Sequence, residues 1–120
     1  MKAIRLLIVL GAMASLLAAQ TPAAQNTAPA GNVENGKKIF SAYGCYQCHG
    51  YVGQGGGGGA RLSPVPLNWP NFTKYVRHPA GQMPPYTTKV VTDQELDDIY
   101  AYLQSIPKPP DVKSIPILNN

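Results

Sequence analysis

Cys45-Tyr46-Gln47-Cys48-His49 is the stretch on which the reading of this chain turns. Two thiols two residues apart, followed at once by an imidazole, admit several kinds of chemistry. A structural zinc site needs about four ligands. Outside its N-terminal segment this 120-residue chain has two Cys and two His and no second C-x-x-C. A redox dithiol places C-x-x-C at the start of a helix in a βαβ unit, and nothing here alternates like a strand over a useful length. A plain disulfide leaves His49 without a role. Covalent haem attachment uses all three residues. The two-residue gap matches the separation of the haem vinyl groups, each thiol adds across one of them, and the adjacent imidazole reaches the iron from the same side. Cys45, Cys48 and His49 are therefore the candidate residues for one covalent haem c, with His49 as an iron ligand.

A six-coordinate iron needs a second donor. Met83 is the one methionine outside the N-terminal segment that holds Met1 and Met13, and His78 is the other available nitrogen ligand. Met83 is favoured because Gly81-Gln82-Met83-Pro84-Pro85-Tyr86 makes a stiff loop: two prolines fix φ and bias the residue before each to an extended conformation. His78, or an open or water-bound position, stays an alternative.

On either side of the motif the periodicity is helical. Asn32 is a plausible N-cap, Glu34 suits a first turn, and Val33, Gly36, Ile39, Phe40 and Tyr43 share a face until Gly44 stops the helix. Gly36 inside this helix costs about 1 kcal/mol relative to Ala, which predicts a close crossing with another element, the last helix. That helix carries the clearest signals. Thr92 and Glu95 form a capping box, Val91 and Leu96 a hydrophobic staple, and Leu96, Ile99, Tyr100 and Leu103 one apolar stripe. Asp97 and Asp98 are expected to face away from the core, and Pro107 ends the helix. Phe72, Tyr75 and Val76 predict a short middle helix between Pro70 and Pro79. Gly55 to Gly59 lacks the Gly-Lys-Ser/Thr ending of a phosphate loop and reads as a flexible surface loop. Trp69 reads as packing, with an indole N–H contact to a haem propionate as the alternative.

The N-terminus reads as a targeting signal: Lys2 and Arg5 precede a nearly unbroken apolar run from Leu6 to Leu17, and Ala18-Ala19 leads into polar sequence. The run is shorter than the roughly 20 residues that cross a bilayer. Cleavage near Ala19 is expected, and the protein is placed in the periplasm, soluble or peripheral. Membrane contact is then only peripheral, or through an uncleaved signal anchor. Loss of Lys2 and Arg5 turns the formal charge of +4 into +2, and the remaining lysines are scattered, which excludes nucleic acid as a partner. The expected organisation is a signal peptide over 1–19, a flexible leader over 20–32, a folded domain over 33–107 and a Pro-rich extended tail over 108–120.

Over roughly residues 33 to 107 the chain resembles a monohaem class I cytochrome c. Gly36-Lys37-Lys38-Ile39-Phe40, Cys45 to His49, Met83-Pro84-Pro85-Tyr86 and Ala101-Tyr102-Leu103 carry the resemblance. It implies a small all-α cytochrome c fold, with three to four helices wrapped around one covalent haem and long Gly/Pro-rich loops. In that family the first and last helices cross with a glycine and an aromatic of the first packed on an aromatic of the last, positions matched here by Gly36, Phe40 and Tyr102. The family often has Gly-Pro-x-Leu after the haem motif, where a loop carbonyl accepts the ligand histidine's N–H. Gly59-Ala60-Arg61-Leu62 stands there instead, which leaves the carbonyl of Ala60 or a part played by Pro64 open. Arg61 is a candidate propionate partner. His/Met ligation leaves no site for substrate and raises the reduction potential, so the expected function is single-electron transfer and not catalysis. Redox proteins such as a dehydrogenase or a terminal oxidase are the expected partners. The alternatives are the cytochrome subunit of a periplasmic dehydrogenase complex and a gas-binding or peroxidatic haem protein.

Overall fold

The computed structural model describes residues 28–118. The expected signal peptide and residues 20–27 of the expected leader lie outside this range. Four α-helices make up the domain: α1 (Val33–Ala42), α2 (Cys45–His49), α3 (Trp69–Arg77) and α4 (Asp93–Ser105). Among the described residues there are no strands beyond an isolated bridge between Gly56 and Gly59. The all-α architecture is the one the sequence predicted.

Local chemistry sets the helix ends. The Asn32 side chain accepts from the Asn35 N–H at 2.9 Å and starts α1. Gly44, at φ 75°, ends it and serves as N-cap of α2. Asn68 caps α3 in the same way, with Pro70 in the first turn where its missing N–H costs nothing. The helix stops at His78, immediately before Pro79. At α4 both halves of the capping box are formed, Glu95 N to Thr92 Oγ1 and Thr92 N to the Glu95 carboxylate. Val91 and Leu96, the predicted staple, are both 1% exposed.

The core is the junction of α1 and α4, joined by α3. Gly36, Ile39 and Phe40 of α1 are buried against Leu96, Ile99, Tyr100, Tyr102 and Leu103 of α4. The Phe40 and Tyr102 rings lie 5.7 Å apart, the pairing that the family resemblance implied. A Cβ on Gly36 would lie 1.9 Å from the backbone oxygen of Asp98, so the crossing admits no side chain at this position. Trp69 and Phe72 pack on Tyr100 at 5.3 and 5.0 Å, and the Tyr100 hydroxyl donates to the Leu67 carbonyl. Trp69 is therefore a packing residue.

Two features depart from expectation. Asp98 does not face away: it is 3% exposed and lies over the start of α1. Its carboxylate accepts from the Asn32 N–H and the Asn35 amide, each at 2.7 Å, and from Gln94 Nε2 at 3.1 Å. An anion at a helix N-terminus is also favoured by the helix dipole. Burial alone raises the Asp98 pKa, but these hydrogen bonds outweigh it and hold the carboxyl below its ordinary value. Asp97 is half-buried, and its Oδ1 has no partner among the described residues. Burial, followed by the charges of Asp98 and Asp93, pushes this carboxyl up. The second departure is at the tail, which contains two short 3-10 turns, Val112–Ser114 and Pro116–Leu118, where an extended strip was expected.

Candidate functional site

Between the helices lies an apolar cleft of about 580 Å³. Core side chains form its floor, among them Phe40, Phe72, Val91, Leu96, Ile99 and Leu103. Cys45, Cys48 and His49 of α2 line it, and so does Met83 from the loop between α3 and α4. The four residues singled out from the sequence thus meet at one cavity. His78 is exposed at the end of α3 and is not among the lining residues.

Placement of the motif follows from the two residues, Tyr43 and Gly44, that separate α1 from α2. With so short a link, the docking of α1 on α4 also sets where α2 lies. Cys45 is half-buried, Cys48 is exposed, and both are free thiols, so the disulfide alternative is not formed. Burial pushes the Cys45 thiol up, against the lowering effect of its hydrogen bonds to backbone and to Tyr86. Burial also raises the Tyr86 hydroxyl, beside the two sulfurs. That hydroxyl donates to the Tyr43 carbonyl at 3.1 Å, which fastens the end of the Met83 loop to the link between α1 and α2.

His49 is oriented by the loop that follows it. Its Nδ1 lies 2.7 Å from the Ala60 carbonyl oxygen, which makes Nδ1 the protonated nitrogen and leaves Nε2 with a free lone pair. The partner is Ala60 and not Pro64, which answers the question left open by the missing Gly-Pro pattern. The glycine run takes part in this arrangement. Gly55 N donates to the His49 carbonyl at 2.8 Å, and a Cβ on Gly59 would lie 2.7 Å from His49 Nδ1. Gly59 is thus the wall against which the imidazole rests, while Gly56 and Gly58 face Cys48. No periodic or motif signal marked it as such, because the constraint comes from an 11-residue return of the chain.

The loop that carries Met83 is fastened after its prolines. Tyr86 N donates to the Val76 carbonyl at 3.1 Å. The Arg77 guanidinium donates to the carbonyls of Tyr86 and Val91 at 2.7 and 2.6 Å and pairs with Asp93 at 2.6 Å. The sequence reading missed Arg77, since a basic residue in the last turn of a helix ordinarily just complements the helix dipole.

The cleft suits a flat apolar macrocycle. Its volume is within the range of about 300–1,000 Å³ typical of cofactor sites. Its floor is made of core side chains, which a group seated in the cleft would cover. The residue set agrees: two thiols could add to the vinyl groups of a porphyrin, and an imidazole with one free nitrogen and a thioether are borderline and soft donors suited to its iron. Among the described residues no group of three or more His, Cys, Asp and Glu is gathered as a bare metal ion would require.

An all-α fold with C-x-x-C-H on a short helix at an apolar cleft defines a c-type cytochrome. Residues 31–103 match the family described as cytochrome c oxidase, cbb3-type, subunit III, and the chain belongs to that family. Its cofactor is covalently attached haem c, and its field is electron transfer. No curated protein and no solved structure matches the chain.

Proposed function

We propose that this protein is a periplasmic, class I type monohaem cytochrome that passes single electrons between redox proteins and catalyses no reaction of its own. In this reading Cys45 and Cys48 hold the haem, and His49 Nε2 and the Met83 sulfur ligate the iron. The observation that carries it is the convergence of Cys45, Cys48, His49 and Met83 on one apolar cleft. When bound, the haem supplies a one-electron ferric/ferrous couple.

The chain's own residues do the rest. The Ala60 carbonyl accepts from His49 Nδ1, which fixes the tautomer and strengthens the imidazole as a donor. Phe72, Val91, Leu96 and Leu103 keep water from the cleft floor. Cys48 and Tyr51 are exposed and make the side of the motif the contact face for a redox partner. Arg61 lines the cleft and is exposed, as a propionate partner must be. Lys37, Lys38, Lys74 and Lys89 are exposed and steer acidic partners modestly. Export rests on the N-terminal signal, and no described helix is long and apolar enough to cross a membrane.

The family's description as an oxidase subunit favours a second reading in which the chain docks on a terminal oxidase or a dehydrogenase as its cytochrome subunit. Exposed Val112, Ile117 and Leu118 in the tail fit such docking. Co-purification with a larger redox enzyme separates the two.

The test of the site is spectroscopic. Acid-acetone extraction of the purified protein should leave haem on the chain. The ferric form should show the weak near-infrared sulfur-to-iron charge-transfer band, lost in Met83→Ala and kept in His78→Ala. Met83→Ala should also bind carbon monoxide when reduced, whereas the wild type should not. A band that survives in Met83→Ala refutes Met83 ligation, and carbon monoxide binding by the native ferrous protein favours a gas-binding or peroxidatic role.

A further inference from the structure

Arg77 ends α3 six residues before Met83 in the chain, yet its side chain closes the loop from the other direction. The side chain is 14% exposed. One guanidinium nitrogen donates to two carbonyls: that of Tyr86, three residues after Met83, and that of Val91, the staple residue at the entry of α4. The second nitrogen pairs with Asp93 in the first turn of α4, a carboxylate whose side chain is 82% exposed. One planar group thus ties the end of α3, the return of the loop and the start of α4.

Between Met83 and the anchored Tyr86 stand only Pro84 and Pro85, each with its φ fixed near −65°. Little torsional freedom remains between the clamp and the methionine. The Tyr86 N–H to Val76 carbonyl bond and the Tyr86 hydroxyl to Tyr43 carbonyl bond complete the anchorage. The two carbonyl contacts are charge-assisted and mostly withdrawn from solvent, which makes them the strong members of the set. The Asp93 pair, largely in water, is the weak one.

We infer that Arg77 is a positioning residue for the axial ligand: by holding the Tyr86 and Val91 carbonyls it keeps the Met83 loop closed over the cleft and the thioether available to the iron. The inference rests on the reading of Met83 as that ligand. Lysine at this place keeps the charge but not the planar fork of donors, so Arg77→Lys separates geometry from charge. Asp93→Asn removes the exposed pair and leaves both carbonyl contacts.

The experiment uses the holoprotein with covalent haem and follows the sulfur-to-iron band, the affinity of the ferric form for added imidazole, and far-ultraviolet circular dichroism, each as a function of temperature. In the wild type and in Asp93→Asn, the band and the helical signal should be lost together. In Arg77→Gln and, to a smaller degree, in Arg77→Lys, the band should weaken or vanish well below the unfolding temperature. Imidazole should bind Arg77→Gln at least about tenfold more tightly, since loss of even one of the two charge-assisted carbonyl bonds shifts a closed-to-open balance by about that factor. If Arg77→Gln folds too poorly to isolate, Arg77→Lys carries the same comparison. A band in the Arg77 variants that disappears only with the helical signal, and unchanged imidazole affinity, would mean that Arg77 only stabilises the fold, and the inference falls. A wild type without the band overturns the Met83 reading and the inference with it, and is told apart because the loss precedes any change at Arg77.

Discussion

Gly36→Ala puts two well-known effects in direct opposition. Taken as an isolated helix position, the change stabilises by about 1 kcal/mol, the difference in helix propensity between Gly and Ala. At the crossing with α4 the added methyl would meet the Asp98 backbone oxygen at 1.9 Å, the Asp98 carbonyl carbon at 2.4 Å and the Ile99 nitrogen at 2.9 Å. Non-bonded heavy atoms are at ease near 3.5–4.0 Å, so the two helices must separate by about 1.5 Å. All three atoms are backbone inside a helix, and none can turn aside. A gap of even about 0.5–1 Å forfeits a quarter to a half of each dispersion contact, and here it opens along Ile39, Phe40, Ile99 and Tyr102. Overpacking costs typically about 1–3 kcal/mol, and a clash with unyielding backbone belongs at the upper end. After the propensity gain, a net loss of about 2 kcal/mol is expected, or a fall in Tm of about 8–16 °C for a domain of this size. Urea unfolding of the holoprotein, with the midpoint compared at unchanged slope, measures it. Ser41→Ala, at an exposed position of the same helix, reports propensity alone and should be neutral or slightly stabilising. A Gly36→Ala protein as stable as the wild type, or more so, would refute the claim that this glycine is dictated by the crossing.

Three further outcomes are expected. Tyr102→Ala should cost about 3 kcal/mol, because a ring 3% exposed and packed on Phe40 is removed. Tyr102→Phe should cost about 1 kcal/mol for the hydroxyl bond to the Tyr51 carbonyl. Denaturant melts measure both, and the absorption spectrum should not change in either. Gly59→Ala should push the His49 ring off the Ala60 carbonyl, since its Cβ would lie 2.7 Å from Nδ1. A weaker imidazole donor then raises the reduction potential, and spectroelectrochemistry that finds an unchanged potential would count against this role. Stability should also fall in acid. Asp98 has a folded pKa below its unfolded value, so its contribution is complete above the ordinary carboxylate range of about 4 and is lost as pH falls through the lowered value. Asp97 is shifted the other way, so its penalty near neutral pH is relieved on protonation and partly offsets that loss. Asp98→Asn should lower the urea midpoint near neutral pH and flatten the acid limb of the midpoint-against-pH curve. An acid limb as steep as the wild type's would show that Asp98 does not govern it.

Much of this molecule is local chemistry and was legible in order along the chain. Asn32, Gly44, the Thr92 and Glu95 box and the Val91 and Leu96 staple act within a turn or two, and the helices begin and end where those residues dictate. The haem motif is local too, since its meaning lies in the spacing of Cys45, Cys48 and His49. Gly36 was legible by contradiction: a residue costly to a helix implies a neighbour that tolerates nothing larger. What the chain order concealed are contacts between residues far apart in it. Asp98 looked solvent-facing because within α4 only Gln94 meets it, and the donors that hold it against α1, Asn32 and Asn35, lie more than sixty positions away. The Ala60 carbonyl, the place of Gly59 behind His49 and the three-way clamp of Arg77 likewise depend on where loops return. Backbone carbonyls carry no sequence signature, because every residue has one. Which of them meets a ring nitrogen or a guanidinium is decided only when the helices have packed.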